Sequence, residues 1–314
     1  MLKWQVRFLA VFVLILTAFQ IAGAAGAETW RLEKGKDWKA VTGQGNDKYF
    51  SDVAEIKRLV NMGKASDAEK KLAQLKKDFP EIAGRDLDAF MKGEMLFARG
   101  KFVKAVRKYD KFLAKYPESE LYGAALDREY AIATAFLAGE KKTVLGIFRI
   151  RGYDEGEKIM EKISDRAGDA PIAERALLAV ARSYEKRTKF NEASGKWSEV
   201  SYRWPTGEAG KEALLGMARC KHAAYKGPGY DSSSLVSAKS YYEDFKQRYP
   251  ADAEKIDIDG KLKQIVEQLA YKQFSIGRYY QRTGSVQPAN SYYQMVLDNW
   301  PGSTAAKMVK QEKQ

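Results

Sequence analysis

Five aromatic-proline dipeptides punctuate this chain, each with its proline twelve residues after an alanine: Ala68 with Phe79-Pro80, Ala105 with Tyr116-Pro117, Ala193 with Trp204-Pro205, Ala238 with Tyr249-Pro250, and Ala289 with Trp300-Pro301. Four residues beyond each alanine stands a large side chain, Leu72, Tyr109, Trp197, Tyr242 or Tyr293, and three further on another, Leu75, Phe112, Val200, Phe245 or Val296. Offsets of 4 and 7 put all three positions on one face of a helix. The small alanine lets a neighbouring helix come close, while the large residues fill the space beside it. Proline then ends the helix, because it lacks an N–H and pushes the residue before it into extended backbone. A chain that repeats this unit buries its apolar stripes by stacking one helical pair on the next.

Upstream of three of the alanines a companion helix shows matching regularity. Gly93, Ala181 and Gly277 lie twelve residues before Ala105, Ala193 and Ala289, where a small residue permits close approach inside a hairpin. Gly100 and Gly284 lie five residues before their alanines, where a tight turn between helices needs glycine. These positions match the tetratricopeptide pattern of two antiparallel helices repeating about every 34 residues. The fold expected from them is all-α, a right-handed superhelical array of five to six tetratricopeptide-like hairpins over residues 51–306. The sixth hairpin is degenerate: a helix over 130–138, then Gly139-Glu140-Lys141-Lys142 and an apolar patch over 144–150, then a second helix from about Tyr153 in which Gly156, Met160 and Ile163 keep the 4 and 7 offsets. A second insertion, Lys226-Gly227-Pro228-Gly229-Tyr230-Asp231-Ser232-Ser233-Ser234, has the glycine, proline and serine density of an exposed loop. Exposed insertions on repeat arrays are places where partners touch.

The ends read differently. Residues 1–27 combine Lys3 and Arg7, an apolar run over 8–18 and the small-residue stretch Ala25-Gly26-Ala27, the layout of a cleaved signal peptide. Residues 8–27 are also just long enough to cross a bilayer, so cleavage and retention as an anchor both stand. In the leader 28–50, Trp30 and Trp38 flank Glu33-Lys34-Gly35-Lys36, which can close a short β-hairpin, and 42–46 reads as linker. The two tryptophans suit docking on the first hairpin or on a partner. Residues 307–314 are expected to fray.

Composition narrows the chemistry. The formal charge is +13, and loss of Lys3 and Arg7 with the signal peptide lowers it by two. A secreted chain does not meet nucleic acid, so anionic envelope components, acidic partner proteins or simple solubility are the readings of that charge. The single cysteine, Cys220, allows no disulfide within the chain and reads as a small buried filler of a helix. The single histidine, His222, stands two residues from it and points elsewhere on a helix, so no Cys-His couple is expected. No phosphate loop, zinc set or calcium loop is complete, and Asp259 reads instead as the N-cap of a helix that includes 262–274. No catalytic residue, metal or cofactor is assigned.

Two stretches narrow the likeness further. Gly100-Lys101-Phe102 with Ala105 and Tyr109-Asp110-Lys111-Phe112-Leu113-Ala114-Lys115-Tyr116-Pro117 resembles the outer-membrane assembly lipoprotein family of BamD and its relatives. Ile276-Gly277-Arg278-Tyr279-Tyr280 with Ala289, Tyr292-Tyr293 and Trp300-Pro301 does so too. The resemblance implies a non-enzymatic scaffold in the machine that inserts β-barrels into the outer membrane, its first hairpins facing unfolded precursors and its last ones docking a barrel-assembly subunit. One family mark is missing, for Ile21-Ala22-Gly23-Ala24 has no cysteine to carry a lipid. The expected place is the periplasm or the periplasmic face of the outer membrane, peripheral to the membrane at most. The alternatives are a periplasmic coordinator of cell-wall synthesis and constriction of the Tol-Pal-associated type, and a wall-modifying enzyme built on helical repeats. Since stacked repeats offer a long concave surface, first-helix residues Lys92, Arg99, Arg175, Arg182, Arg278 and Gln281 are the candidate partner-binding set, suited to acidic segments.

Overall fold

The computed structural model describes residues 30–32, 38–40, 44–144 and 148–312, so the expected signal peptide lies outside them. The chain forms two compact units that meet in sequence at Ala83 and Gly84. In the first, β1 (Trp30–Leu32) pairs antiparallel with β2 (Trp38–Ala40), Trp30 opposite Ala40, closing the short hairpin that the sequence permits. Helix α1 (Gln44–Asn61) and helix α2 (Ala65–Asp78) follow. Helix α1 thus begins inside the stretch read as linker. Its early start is held by contacts to the far end of α2, with Lys48 on Asp78 at 2.9 Å and the Tyr49 ring edge-on to Phe79 at 5.4 Å.

The second unit is a series of helical hairpins. Helices α3 (Arg85–Ala98) and α4 (Phe102–Lys115) make the first of them. Next come α5 (Tyr122–Leu137) and α6 (Tyr153–Ala167), joined through a two-stranded ribbon of β3 (Lys141–Val144) and β4 (Phe148–Arg151). Helices α7 (Pro171–Lys186) and α8 (Phe190–Arg203) follow, then α9 (Gly207–Ala223) and α10 (Ser233–Arg248). After the short α11 (Pro250–Lys255), α12 (Ile258–Arg282) and α13 (Val286–Asn299) form the last pair, and α14 (Thr304–Glu312) covers it. Counting the pair α1 and α2, the described residues hold six hairpins, an all-α repeat array.

The register that organises the sequence is also what packs the helices. The key alanines Ala68, Ala105, Ala193, Ala238 and Ala289 are all buried, as are Tyr109, Trp197, Tyr242 and Tyr293 four residues on. The small residue twelve positions upstream is required by contact: a Cβ on Gly93 would lie 2.4 Å from the Tyr109 ring, and one on Gly277 would lie 2.7 Å from that of Tyr293. Each proline stops its helix as expected. The residue before it takes φ between −127° and −139°, and its N–H closes the last helical bond on the carbonyl of Leu75, Phe112, Val200, Phe245 or Val296. The turn position adopts left-handed backbone at Gly100 and Gly284, with φ of 66° and 79°, and also at Thr188, with φ of 59°.

Neighbouring hairpins share their cores. One apolar cluster runs from Leu177 on α7 through Trp197, Met217 and Phe245 to Ile265 on α12, and a second joins Phe274, Tyr293, Val296 and Val309 of the last hairpin and α14. Three expectations are corrected. The apolar patch after α5 is not a plain insertion but the antiparallel ribbon β3–β4, with Lys141 opposite Arg151. Asp259 is not the N-cap of α12; because Ile258 is buried the helix starts there, and Asp257, at φ 54°, caps it by accepting from the Gly260 N–H at 3.0 Å. Residues 307–312 are helical rather than frayed, since Val309 is buried and Glu312 accepts from the Tyr293 hydroxyl at 2.6 Å.

Candidate interaction surfaces

The six candidate residues lie on first helices: Lys92 and Arg99 on α3 and at its C-terminal cap, Arg175 and Arg182 on α7, Arg278 and Gln281 on α12. All six are exposed. The structure shows that several also join neighbouring helices. Arg182 donates through Nε to Glu212 of α9 at 2.7 Å, and Arg175 stacks 4.5 Å over the Tyr130 ring of α5. Arg278 reaches Glu312 of α14 at 3.5 Å, and Gln281 accepts from the Tyr293 hydroxyl. Of these, Arg175 and Arg182 tie one hairpin to the next, while Arg278 and Gln281 join α12 to α14 and α13.

Beneath them runs a polar ladder that the sequence did not reveal. Glu94, buried on α3, accepts from the Tyr109 hydroxyl of its own hairpin and pairs with Arg128 of α5 at 2.7 Å. Glu185 of α7 repeats the arrangement two hairpins further on, accepting from Trp197 Nε1 at 3.0 Å and from Arg219 of α9 at 2.7 Å. Burial, together with Glu94, holds the Tyr109 phenol protonated far above its ordinary range. The available signal was chemical: the large residues four positions after the alanines are mostly Tyr or Trp, and a buried Tyr or Trp carries a donor that needs an acceptor.

Between α4, α5 and α6 a denser cluster forms. Arg166 donates to Asp110 at 2.6 Å and to Glu129 Oε2 at 3.0 Å, and Lys162 reaches Asp110 at 3.1 Å. Glu129 is fully buried and its Oε1 has no hydrogen-bond partner. Burial, reinforced by the Asp110 charge, pushes its carboxyl up to about 7.

Cys220 is buried on α9, and burial pushes its thiol up to about 12, which makes it a poor nucleophile at neutral pH. His222 is half-buried with Nε2 3.0 Å from Gln268 Oε1 of α12, and burial lowers its pKa, so the neutral ring links two hairpins. On the last hairpin Tyr280 stacks on Tyr292 at 5.7 Å, leaving Tyr279 and Val286 exposed. Among the described residues no helix is long and apolar enough to cross a membrane.

The family described as outer membrane lipoprotein, YfiO, matches residues 225–311, and a tetratricopeptide repeat family matches residues 89–119. No curated protein matches the chain by sequence. Among solved structures, the C-terminal part of a tetratricopeptide repeat-containing protein from Cytophaga hutchinsonii is 15% identical, the alignment covering 84% of this chain and 95% of that one at a TM-score of 0.38. PilW, a widely conserved type IV pilus biogenesis factor, is 14% identical over 85% of this chain and 99% of its own, at a TM-score of 0.30. The pilF protein of Pseudomonas aeruginosa is 14% identical over 86% of this chain and all of its own, at a TM-score of 0.33.

Proposed function

We propose that this chain, a tetratricopeptide-type repeat protein resembling the YfiO outer membrane lipoproteins, is a non-enzymatic envelope scaffold that binds partner proteins or unfolded β-barrel precursors during outer-membrane protein assembly. Its repeats are of the kind that serve protein–protein interaction. The observation that carries the finer reading is the YfiO match over 225–311, which takes in the last hairpin, where Ile276-Gly277-Arg278-Tyr279-Tyr280 and Tyr292-Tyr293 stand. That hairpin buries Tyr293 and presents Tyr279, Val286, Arg278 and Arg282 to solvent, apolar and cationic side chains a partner can contact. The six first-helix residues Lys92, Arg99, Arg175, Arg182, Arg278 and Gln281 make up the wider binding set, their cations matching acidic partner segments. The chain acts in the periplasm or on the periplasmic face of the outer membrane.

Depletion followed by an inventory of outer-membrane barrels tests this reading, with affinity capture of the intact chain from envelope extracts alongside. Reduced barrel levels and co-capture of barrel-assembly subunits are expected. Unchanged barrels with capture of peptidoglycan synthases or Tol-Pal components would replace the assembly role by wall coordination.

A further inference from the structure

In an antiparallel pair of strands, residues directly opposite each other alternate between pairs that exchange backbone hydrogen bonds and pairs that do not. The Gly152 N–H donates to the Glu140 carbonyl at 2.9 Å, which continues by one step the β3–β4 register of Lys141 opposite Arg151. The bonded pairs of the ribbon are therefore Lys142 with Ile150 and Val144 with Phe148. Arg149 and Arg151 belong to the other set, so their N–H and C=O groups point away from β3, along the free edge of β4. Among the described residues no third strand joins the ribbon, and none pairs with these backbone groups. The two strands lie chiefly against each other and hardly touch the helices.

An open edge of this kind is a template for another strand, and a two-stranded ribbon is marginal until a third strand joins it. The side chains of β4, all exposed, decide which strand fits. Successive residues face opposite sides of the ribbon. Phe148 and Ile150, 59% and 48% exposed, make one face apolar, while Arg149 and Arg151 make the other cationic, joined by Lys141 opposite Arg151. Nearby carboxylates leave that face positive: Glu140 lies 3.7 Å from Arg149 with both side chains solvated, and Asp154 is held by Lys142 at 2.6 Å.

Other occupants fit this edge worse. A helix spends its backbone groups internally and has none along its length to offer. A bilayer would leave the edge unsatisfied in hydrocarbon, where open sheet edges do not occur. A second copy of this chain, pairing β4 with β4, would set arginine against arginine, and like charges directly across strands repel. An extended segment with apolar residues on one face and carboxylates on the other satisfies the edge and both faces together, its main chain giving affinity and its alternate side chains specificity.

We propose that the free edge of β4 captures an extended polypeptide segment in which apolar and acidic residues alternate, adding it to the ribbon as a third strand. The scaffold reading gives the ribbon no role of its own. That the captured strands come from barrel precursors, whose strands alternate apolar and polar residues, rests on that reading.

The test titrates the full chain with a fluorescent octapeptide of alternating valine and glutamate and follows amide exchange by NMR. Saturable binding is expected, with exchange slowed at the Arg149 and Arg151 N–H groups. N-methylation of one alternate set of peptide amides should abolish binding and of the other set should spare it, since only one set faces β4. A peptide with its valines and glutamates in separate blocks should lose binding. Arg149→Pro removes an edge donor without touching a bond to β3, and it should abolish capture. Arg149→Glu with Arg151→Glu turns two opposite-charge cross-strand pairs into like-charge ones, so it should weaken the valine-glutamate peptide about tenfold or more and favour a valine-lysine one. The proposal is overturned if the alternating peptide does not bind, if the block peptide binds as tightly, if both methylated peptides behave alike, or if the two arginine amides exchange unchanged. Protection of those amides by raising the concentration of the chain alone would overturn it in favour of a second copy, and protection by phosphatidylglycerol vesicles alone in favour of a bilayer. No assembly subunit is present in this test, so its failure leaves the scaffold reading standing, and unchanged barrel levels on depletion would leave strand capture intact with another source of the strand.

Discussion

At Thr188 the repeat places a β-branched residue where the equivalent turns use glycine. Its φ of 59° is left-handed, as at Gly63, Gly100 and Gly284, but a Cβ in that region costs about 1 kcal/mol or more. Thr188 is exposed, so glycine loses little packing there. Thr188→Gly should therefore raise stability by about 0.5–1 kcal/mol after the larger unfolded-state entropy of glycine is offset, seen as a higher urea midpoint at unchanged m-value; a lower midpoint would show that the turn is unstrained. Glu129 gives a pH signature of definite sign. Its carboxyl is raised from 4.5 to about 7 in the folded chain, so between those values the folded state holds the proton that the unfolded state has lost. The stability it contributes is complete below about pH 4.5, declines as pH rises, and is gone above about 7. Thermal unfolding followed across this window should show a shallower decline for Glu129→Gln than for the wild type, and parallel curves would place the proton elsewhere.

What could be read in the chain at the level of helices was whatever depends on steric period. Alanine, bulky residue and proline recur because each answers a packing demand that any neighbouring hairpin imposes, and the helix ends fall at Phe79, Tyr116, Trp204, Tyr249 and Trp300 accordingly. The ribbon β3–β4 escaped because two four-residue strands hold too short an alternation to stand apart from an apolar patch. The six surface candidates came from their place on the first helices of a stacked array, which cannot say that Arg182 is met by Glu212. Partners across elements were illegible for the same reason: Glu94 and Arg128 are 34 residues apart in sequence, and nothing local marks them as a pair. That pair makes a sharp prediction for the junction of α3, α4 and α5. Glu94→Ala removes the acceptor of the Tyr109 hydroxyl and a carboxylate partner of the mostly buried Arg128, so stability should fall by about 3 kcal/mol. Adding Arg128→Met should recover part of the loss, and a double-mutant cycle with no coupling would mean that the two side chains act independently.

For the molecule as a whole, the governing property is that each hairpin of residues 84–312 leans chiefly on its neighbours in the series, so stability is carried by a chain of interfaces rather than by one central core. The end of such a series needs a cover, and α14 provides it. Ala305, Ala306 and Val309 are buried against Phe274, Tyr293 and Val296, and Glu312 takes hydrogen from Tyr293 while facing Arg278. Backbone joins in as well, because the Thr304 N–H donates to Glu267 of α12 at 2.9 Å. A chain stopped after Ser303 would expose that apolar face and remove Glu312, which accepts from the Tyr293 hydroxyl. Hydrogen exchange should then quicken through α12 and α13, while α7 and α8, two hairpins away, keep their protection because Leu177, Trp197 and Val200 lie in the other cluster. If exchange instead quickened equally from α3 to α13, the unit would be a single cooperative block, and the nearest-neighbour account of its stability would fail.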